Sequence, residues 1–493
     1  MEAVTDTIMI EEKTSARAQM LMEGSVPLPE GGTVIATLAR AVVTDCDLVG
    51  SEALVQGKTD FQVLIQGEQT DCLTLEVPWS HSLKVALPAH GQAVADVVLS
   101  DVRGTAAGGE VRVSALAEIE AEAWAQRSVD CLSGLEGEGI QLQTGLVETD
   151  LISGAGMGRT EVRQTLDQTR LREGSRVLLT NGTAQVHDAY CSDERVMLTG
   201  EVRVRVVYAS ADEAEPFGEW EESVEFAQAV DAPGVNPDCT AEAVAWVQDC
   251  SVTRTEEGLD CELVILSRVC GRETRRTMAV TDAYSTNAEL DCRFSEVTML
   301  PRTRTRVNAA LKLPAPCGEG MPPIAQVLFC DAQPMLTEVT PQTDRLTADG
   351  VMETVILYRA AGAGLSAYRA ELPFTCTLDV PGLAPESVCR VRPRVLQCSA
   401  VVTAADETEL RLTMGFDTES GQEKTLRTVI EAEEGEKRVP AHAICVYTVG
   451  SEDTPWSAAK HLGVTQAQLM QYVPEDDWRP GQKIVCYYRL KAE

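Results

Sequence analysis

The residues of this chain that could do chemistry are five histidines, sixteen cysteines and a few paired acids, and their spacing works against most of that chemistry. The histidines stand at 81, 90, 187, 442 and 461, and none has a second histidine or cysteine at a metal-ligand spacing. No metal site is expected. The cysteines are scattered singly with no C-x-x-C, which implies reduced, buried thiols rather than a disulfide framework. Cys261, Cys330 and Cys398 fall inside apolar alternation, where a thiol acts as a small hydrophobe. Gly154-Ala155-Gly156-Met157-Gly158 has the look of a phosphate loop, but no strand is expected to lead into it and no Lys-Ser/Thr follows. The acid pairs Glu256-Glu257 and Glu433-Glu434 lie in polar, turn-like stretches, whereas carboxylate catalysis needs two acids converging across a cleft. No G-x-S-x-G elbow occurs. The expectation is a non-enzymatic chain that needs no cofactor.

The stretch near the C-terminus holds exposed-type aromatic residues, Trp456, Tyr472 and Trp478, among polar ones. Aromatic side chains give large contact area at low entropic cost, so Tyr472 and Trp478 are candidates for a binding hot spot.

The elements that must position these residues are several. The 493 residues exceed one core, and 44% hydrophobic with 24% charged residues is ordinary for folded protein. A formal charge of −34 disfavours phosphate backbones and anionic lipid as partners. Met1 to Lys13 has no basic start and apolar run, and no run of about 18 apolar residues occurs, so neither export nor membrane insertion is expected.

A long-period self-similarity organises the body. Val34, Val177 and Val327 are each followed 23 residues later by a glycine, Gly57, Gly200 or Gly350. Each glycine is read as a turn residue with positive φ entering a strand. Period-two stretches follow: Phe61, Val63 and Ile65; Val202, Val204 and Val206; Met352, Thr354, Ile356 and Tyr358. Trp79, Phe226 and Phe374 come next, then a further β-type segment, and finally hairpin arms that include Val111, Leu263 and Leu410. The expected boundaries are an N-terminal segment at 1–30, repeats at 31–130, 175–270 and 324–430, connectors at 131–174 and 271–323, and a linker at 431–443. Within the first connector, Thr160 to Arg172 is polar and free of proline, which permits a helix.

From Cys445 the pattern changes to strand, helix, helix, strand over 444–490. Thr454 or Asp453 caps the first helix, Pro455 opens it and Gly463 stops it; Thr465 caps a second helix running from Gln466 to Tyr472; Arg479-Pro480-Gly481-Gln482 turns into the last strand. The fold class is mainly β: three tandem antiparallel repeats plus a small βααβ module.

That module, with D-T-x-W-x-x-A at its first helix and P-G-Q before its last strand, resembles a LysM domain. LysM domains generally bind N-acetylglucosamine glycans between the loop before the first helix and the loop after the second, and some bind proteins; the resemblance implies a partner- or glycan-binding site at Asp453, Thr454, Trp456, Tyr472, Val473, Pro474 and Trp478. Here Tyr472 replaces the usual asparagine and Glu475-Asp476-Asp477 adds acid, so a protein ligand is preferred over peptidoglycan. Three repeats joined to such a module resemble the SPOCS-domain, SipL-like spore-coat morphogenetic proteins of endospore formers. The resemblance implies a scaffold in the mother-cell cytosol at the forespore surface. It implies docking on a coat basement protein, a SpoIVA-like ATPase, chiefly through the LysM-like module, with self-association as a further expectation.

Overall fold

The computed structural model describes residues 1–86, 91–167, 171, 174–210, 212, 215–255, 258–300, 302–318, 320–362, 364–438, 444–473 and 478–487. The chain is mainly β, as expected. Three successive units repeat one strand order. The first holds β1 (Glu2–Pro27), β2 (Thr33–Val49), β3 (Glu52–Gln66), β4 (Thr70–Lys84), β5 (Gln92–Ala107) and β6 (Glu110–Glu136). The second holds β7 (Ile140–Leu166), β8 (Arg176–Ser192), β9 (Arg195–Ala209), β10 (Phe217–Asp231), β11 (Thr240–Arg254) and β12 (Leu259–Ser285). In the third the long outer strands are broken: β13 (Ala288–Met299) and β14 (Arg302–Pro316) precede β15 (Ile324–Gln342), β16 (Arg345–Ala360), β17 (Leu365–Asp379) and β18 (Val388–Ala404), and β19 (Glu407–Gly421) and β20 (Lys424–Lys437) close it.

Each unit is a sandwich. A three-stranded meander, β2-β3-β4 in the first unit, packs on a sheet in which the last strand lies between the first and fifth, β1-β6-β5. The period-two residues face that core: Phe61, Val63, Val202, Val204, Met352 and Ile356 are all fully buried. Strand alternation in the sequence therefore reads directly as the inner face of the meander.

The landmark glycines are a correction. Gly57, Gly200 and Gly350 lie inside β3, β9 and β16, none has a positive φ, and each pairs directly with the landmark aromatic of the next strand. A Cβ on Gly200 would stand 2.8 Å from the Phe226 ring and 2.2 Å from the carbonyl of Gln185. The glycine exists to let the ring lie flat over the backbone, so turn chemistry was the wrong reason for it.

The segments between the repeats, read as extra strands or loops apart from a permitted helix at Thr160 to Arg172, pair largely as strands. β7 runs through 140–166 and β12 through 259–285, antiparallel along their whole length. Thr160 to Leu166 is strand rather than helix. Gly154, Gly156 and Gly158 lie inside β7, where a Cβ would strike the backbone of Pro233, that of Asp231 and the side chain of Gln228 respectively. That glycine run answers to close packing.

The first and last strands of each unit outrun their sandwich as two-stranded ribbons, and the three ribbons share a core that includes Ile8, Cys131, Val147, Ala279 and Val297. At the opposite end the three meanders meet in a second shared cluster. Equivalent positions supply it: Ala36, Leu179 and Phe329, each two residues past a landmark valine, and Leu64, Val207 and Leu357, each seven past a landmark glycine. A register shift recurs between Val34/Ala36, Val177/Leu179 and Val327/Phe329, so the bulge that turns these residues outward is repeated in all three units. The chain therefore closes on itself as three equivalent units about one axis.

Polar contacts close the same circle. Gln62 donates to the carbonyl of Thr180 at 3.2 Å, Arg205 donates to that of Cys330 at 2.8 Å, and Arg369 donates to that of Thr37. Thr37, Thr180 and Cys330 occupy equivalent places, so each unit grips the next at one position.

Where sandwiches give way to ribbons, six charges alternate in a ring: Lys13, Glu419, Arg304, Asp150, Arg272 and Glu11. Successive separations are 3.2, 2.7, 2.9, 3.4, 3.7 and 3.3 Å, returning to Lys13. Each unit gives one cation and one anion. Burying charge is costly unless every group is partnered, and a closed ring leaves no end unpartnered.

Candidate functional site

The terminal module is built as the local sequence predicts. β21 (Ile444–Thr448) pairs antiparallel with β22 (Lys483–Tyr487), and α1 (Pro455–Leu462) and α2 (Gln466–Met470) lie between. Thr454 caps α1, its side chain accepting from the backbone N–H of Ser457, and Gly463 ends α1 at φ 63°. Thr465 caps α2 in the same way. The second helix stops two residues short of expectation, which leaves Tyr472 in the following turn.

The two loops flanking the helices come together. The indole N–H of Trp478 donates to the carbonyl of Asp453 at 2.9 Å, and the Asp453 carboxylate accepts from the Tyr447 hydroxyl at 2.5 Å and from the N–H of Gly450 at 2.7 Å. Those donors, Tyr447 first, hold the Asp453 carboxyl below the usual range. Asp453 therefore stays an anion that organises its own loop.

The candidate residues divide by task. Val473 is buried in the module core, with Trp478 packed at its edge. Thr454 is engaged as a cap. Tyr472 is 45% exposed. Pro474 lies outside the described residues, as do His90, His442, Glu256, Glu257, Glu475, Asp476 and Asp477.

Trp456 faces the body. Its ring meets Tyr284 of β12 edge-on, with centroids 4.9 Å apart, and its N–H donates to the Asp282 carboxylate at 2.8 Å. Lys460 takes the other Asp282 oxygen at 2.5 Å, and the Tyr284 hydroxyl donates to the carbonyl of Val464 at 2.8 Å. Burial pushes the Tyr284 phenol up to about 12, so it remains a donor. The module is thereby latched to the end of the second ribbon. Sequence reasoning missed Asp282 and Tyr284 because nothing local marks a partner some 180 residues away.

One acid cluster elsewhere has cation-binding spacing: Asp60, Glu76 and Asp249. The Lys58 ammonium already sits among them, at 3.3, 2.7 and 2.7 Å. Burial lowers the Lys58 pKa, but hydrogen bonds to Asp249 and Glu76 outweigh it and hold the amine above its ordinary value. This cluster is filled by the chain itself. All sixteen cysteines are free, with Cys261 and Cys330 buried.

Residues 175–255 and 323–403 match the family described as SipL, SPOCS domain. The second and third units each carry a match to the SPOCS domain. Each matched span begins just before the meander and ends within one residue of the end of β11 or β18, leaving the long ribbon strands outside. No curated protein and no solved structure matches the chain. The family ties the chain to sporulation and the spore coat. No described helix is long and apolar enough to cross a membrane.

Proposed function

We propose that this SPOCS-domain chain is a non-enzymatic scaffold in spore-coat assembly, which grips a SpoIVA-like coat-base ATPase chiefly through its LysM-like terminal module. The observation that carries this reading is the orientation of the module: Trp456 and Lys460 fix it to the body, while Tyr472 is left exposed. A latched module with a free aromatic is a docking head on a stiff body. The body suits a scaffold because the closed circle of three units positions that head rigidly. In this reading the chain works in the mother-cell cytosol at the forespore surface.

The test compares pull-down of the ATPase by the intact chain and by a chain ending at Arg438. Loss of capture on truncation supports the module as the docking head; undiminished capture moves docking to the SPOCS units. Retention of the intact chain on insoluble peptidoglycan would instead favour a glycan ligand.

A further inference from the structure

Between the apolar meander cluster and the charged ring the three units line a partly open cavity of about 1080 Å³. The order of residues along the strands places it there: β12 carries Arg272 in the ring and Arg268 in the cavity wall, while β15 carries Phe329 in the cluster and Asp331 in the wall. The second and fifth strands of every unit contribute, so no unit makes the cavity alone. Packed interiors leave few voids larger than a water, and this volume is of the size that small-molecule sites have.

Nine arginines and ten carboxylates line the cavity, and four of the arginines gather on one stretch of its wall: Arg268 from the second unit and Arg306, Arg392 and Arg394 from the third. They share too few acids. Asp96 serves Arg268 at 2.9 Å and Arg392 at 3.3 Å; Asp417 serves Arg306 at 2.7 Å and also Arg394. Arg392 reaches Glu122 at 2.8 Å, but that carboxylate already holds Lys13 at 3.2 Å and Arg390. The Arg392 Nε, though 3.3 Å from Asp96, is not aligned to hydrogen-bond with it and is left as a buried free donor. Burial, and then the Arg306 charge, bring the Arg394 pKa down to about 10. Over the whole wall acids and arginines nearly cancel, so the positive excess is confined to this stretch, where four arginines share Asp96 and Asp417.

We propose that the cavity binds a small anion bearing two or more negative charges, of the phosphate or carboxylate class, held by Arg306 and Arg394 beside Asp417 and reaching Arg392 and Arg268. The planar guanidinium fork matches both oxyanion geometries. The Arg306 side chain is 59% exposed, which gives the ligand a way in. Because the four arginines come from two units, the bound anion bridges the second and the third.

Titration calorimetry of the full chain with pyrophosphate, inorganic phosphate and citrate, at ionic strength fixed with sodium chloride, tests this. At least one probe is expected to bind saturably at millimolar concentration or below and to raise the melting temperature. Binding by both phosphate probes but not citrate assigns a phosphate ligand, and the converse assigns a carboxylate. The Arg306→Gln/Arg394→Gln pair should weaken binding at least about tenfold, since each charge-assisted contact is worth that much. Arg306→Gln alone, on an exposed side chain, should weaken it with the unliganded melting temperature unchanged, which guards against misfolding of the double variant. Arg195→Gln, at an exposed arginine paired with Asp231 and outside the cavity wall, should leave binding intact. No saturable heat with any probe, or equal affinity in Arg306→Gln and the native chain, overturns the proposal.

Discussion

Gly200 and Phe226 are cross-strand partners in the second unit, with the Phe226 ring occupying the space that a side chain at 200 would need. Gly57 with Trp79 and Gly350 with Phe374 repeat the relationship, so one glycine-aromatic pair fixes the register of all three meanders. An aromatic lying across a bare glycine buries backbone that would otherwise be open and tolerates no slip of the strand.

Gly200→Ala should therefore destabilise by about 1–3 kcal/mol, the usual cost of overpacking. The ring could tilt, but the Gln185 carbonyl 2.2 Å from the new methyl belongs to a paired strand and cannot. Urea denaturation measures the loss. A neutral result would mean that the strand relaxes more freely than its pairing implies.

The buried carboxylates make the fold acid-sensitive. Burial pushes Glu122 up, but Lys13, Arg390 and Arg392 outweigh it and bring it from 4.5 to about 2, and Glu419 is held well below its ordinary value by Lys13 and Arg304 against the same opposing burial. A folded-state value below the unfolded one means that the folded chain holds fewer protons, so this stabilisation is complete above about pH 4.5 and is lost as pH falls toward 2. Melting temperature followed from pH 7 to pH 3 should decline steeply below 4.5. Glu122→Gln should lower it at pH 7 and flatten the decline.

Asp282 holds two donors of the terminal module, Trp456 and Lys460. Asp282→Ala should release the module from the ribbon without unfolding the module itself, whose core, apart from Tyr284, is made of its own residues. Hydrogen exchange would show the change as faster exchange near Val464 and at the end of β12, with the helices of the module still protected. Unchanged exchange at both places would mean that the latch does not hold the module.

Much of the fold was legible because its signals are local. Phe61, Val63 and Val204 alternate with a period that only a half-buried strand explains, and Thr454, Pro455 and Gly463 each mark an end of α1 through a contact within a few residues. The same reading misjudged Thr160 to Leu166, since this part of an outer strand is open along much of its length and so carries no apolar period. Lys13 and Glu419 were beyond reach for a different reason. They are 406 residues apart, and their pairing exists only once three units have closed into a circle. The candidate residues of the terminal module were found by motif, but sequence could not tell Trp456, packed against the body, from Tyr472, left exposed.

The central claim is that the exposed face of the terminal module docks the chain onto its coat partner, and Tyr472→Ala tests it most directly. The affinity of the purified native chain and of this variant for a SpoIVA-like ATPase should be measured side by side, with melting temperature as the control. The account predicts at least about a tenfold weaker complex, as for an exposed aromatic anchor worth more than 1 kcal/mol, at an unchanged melting temperature. Equal affinity of the two chains would contradict it.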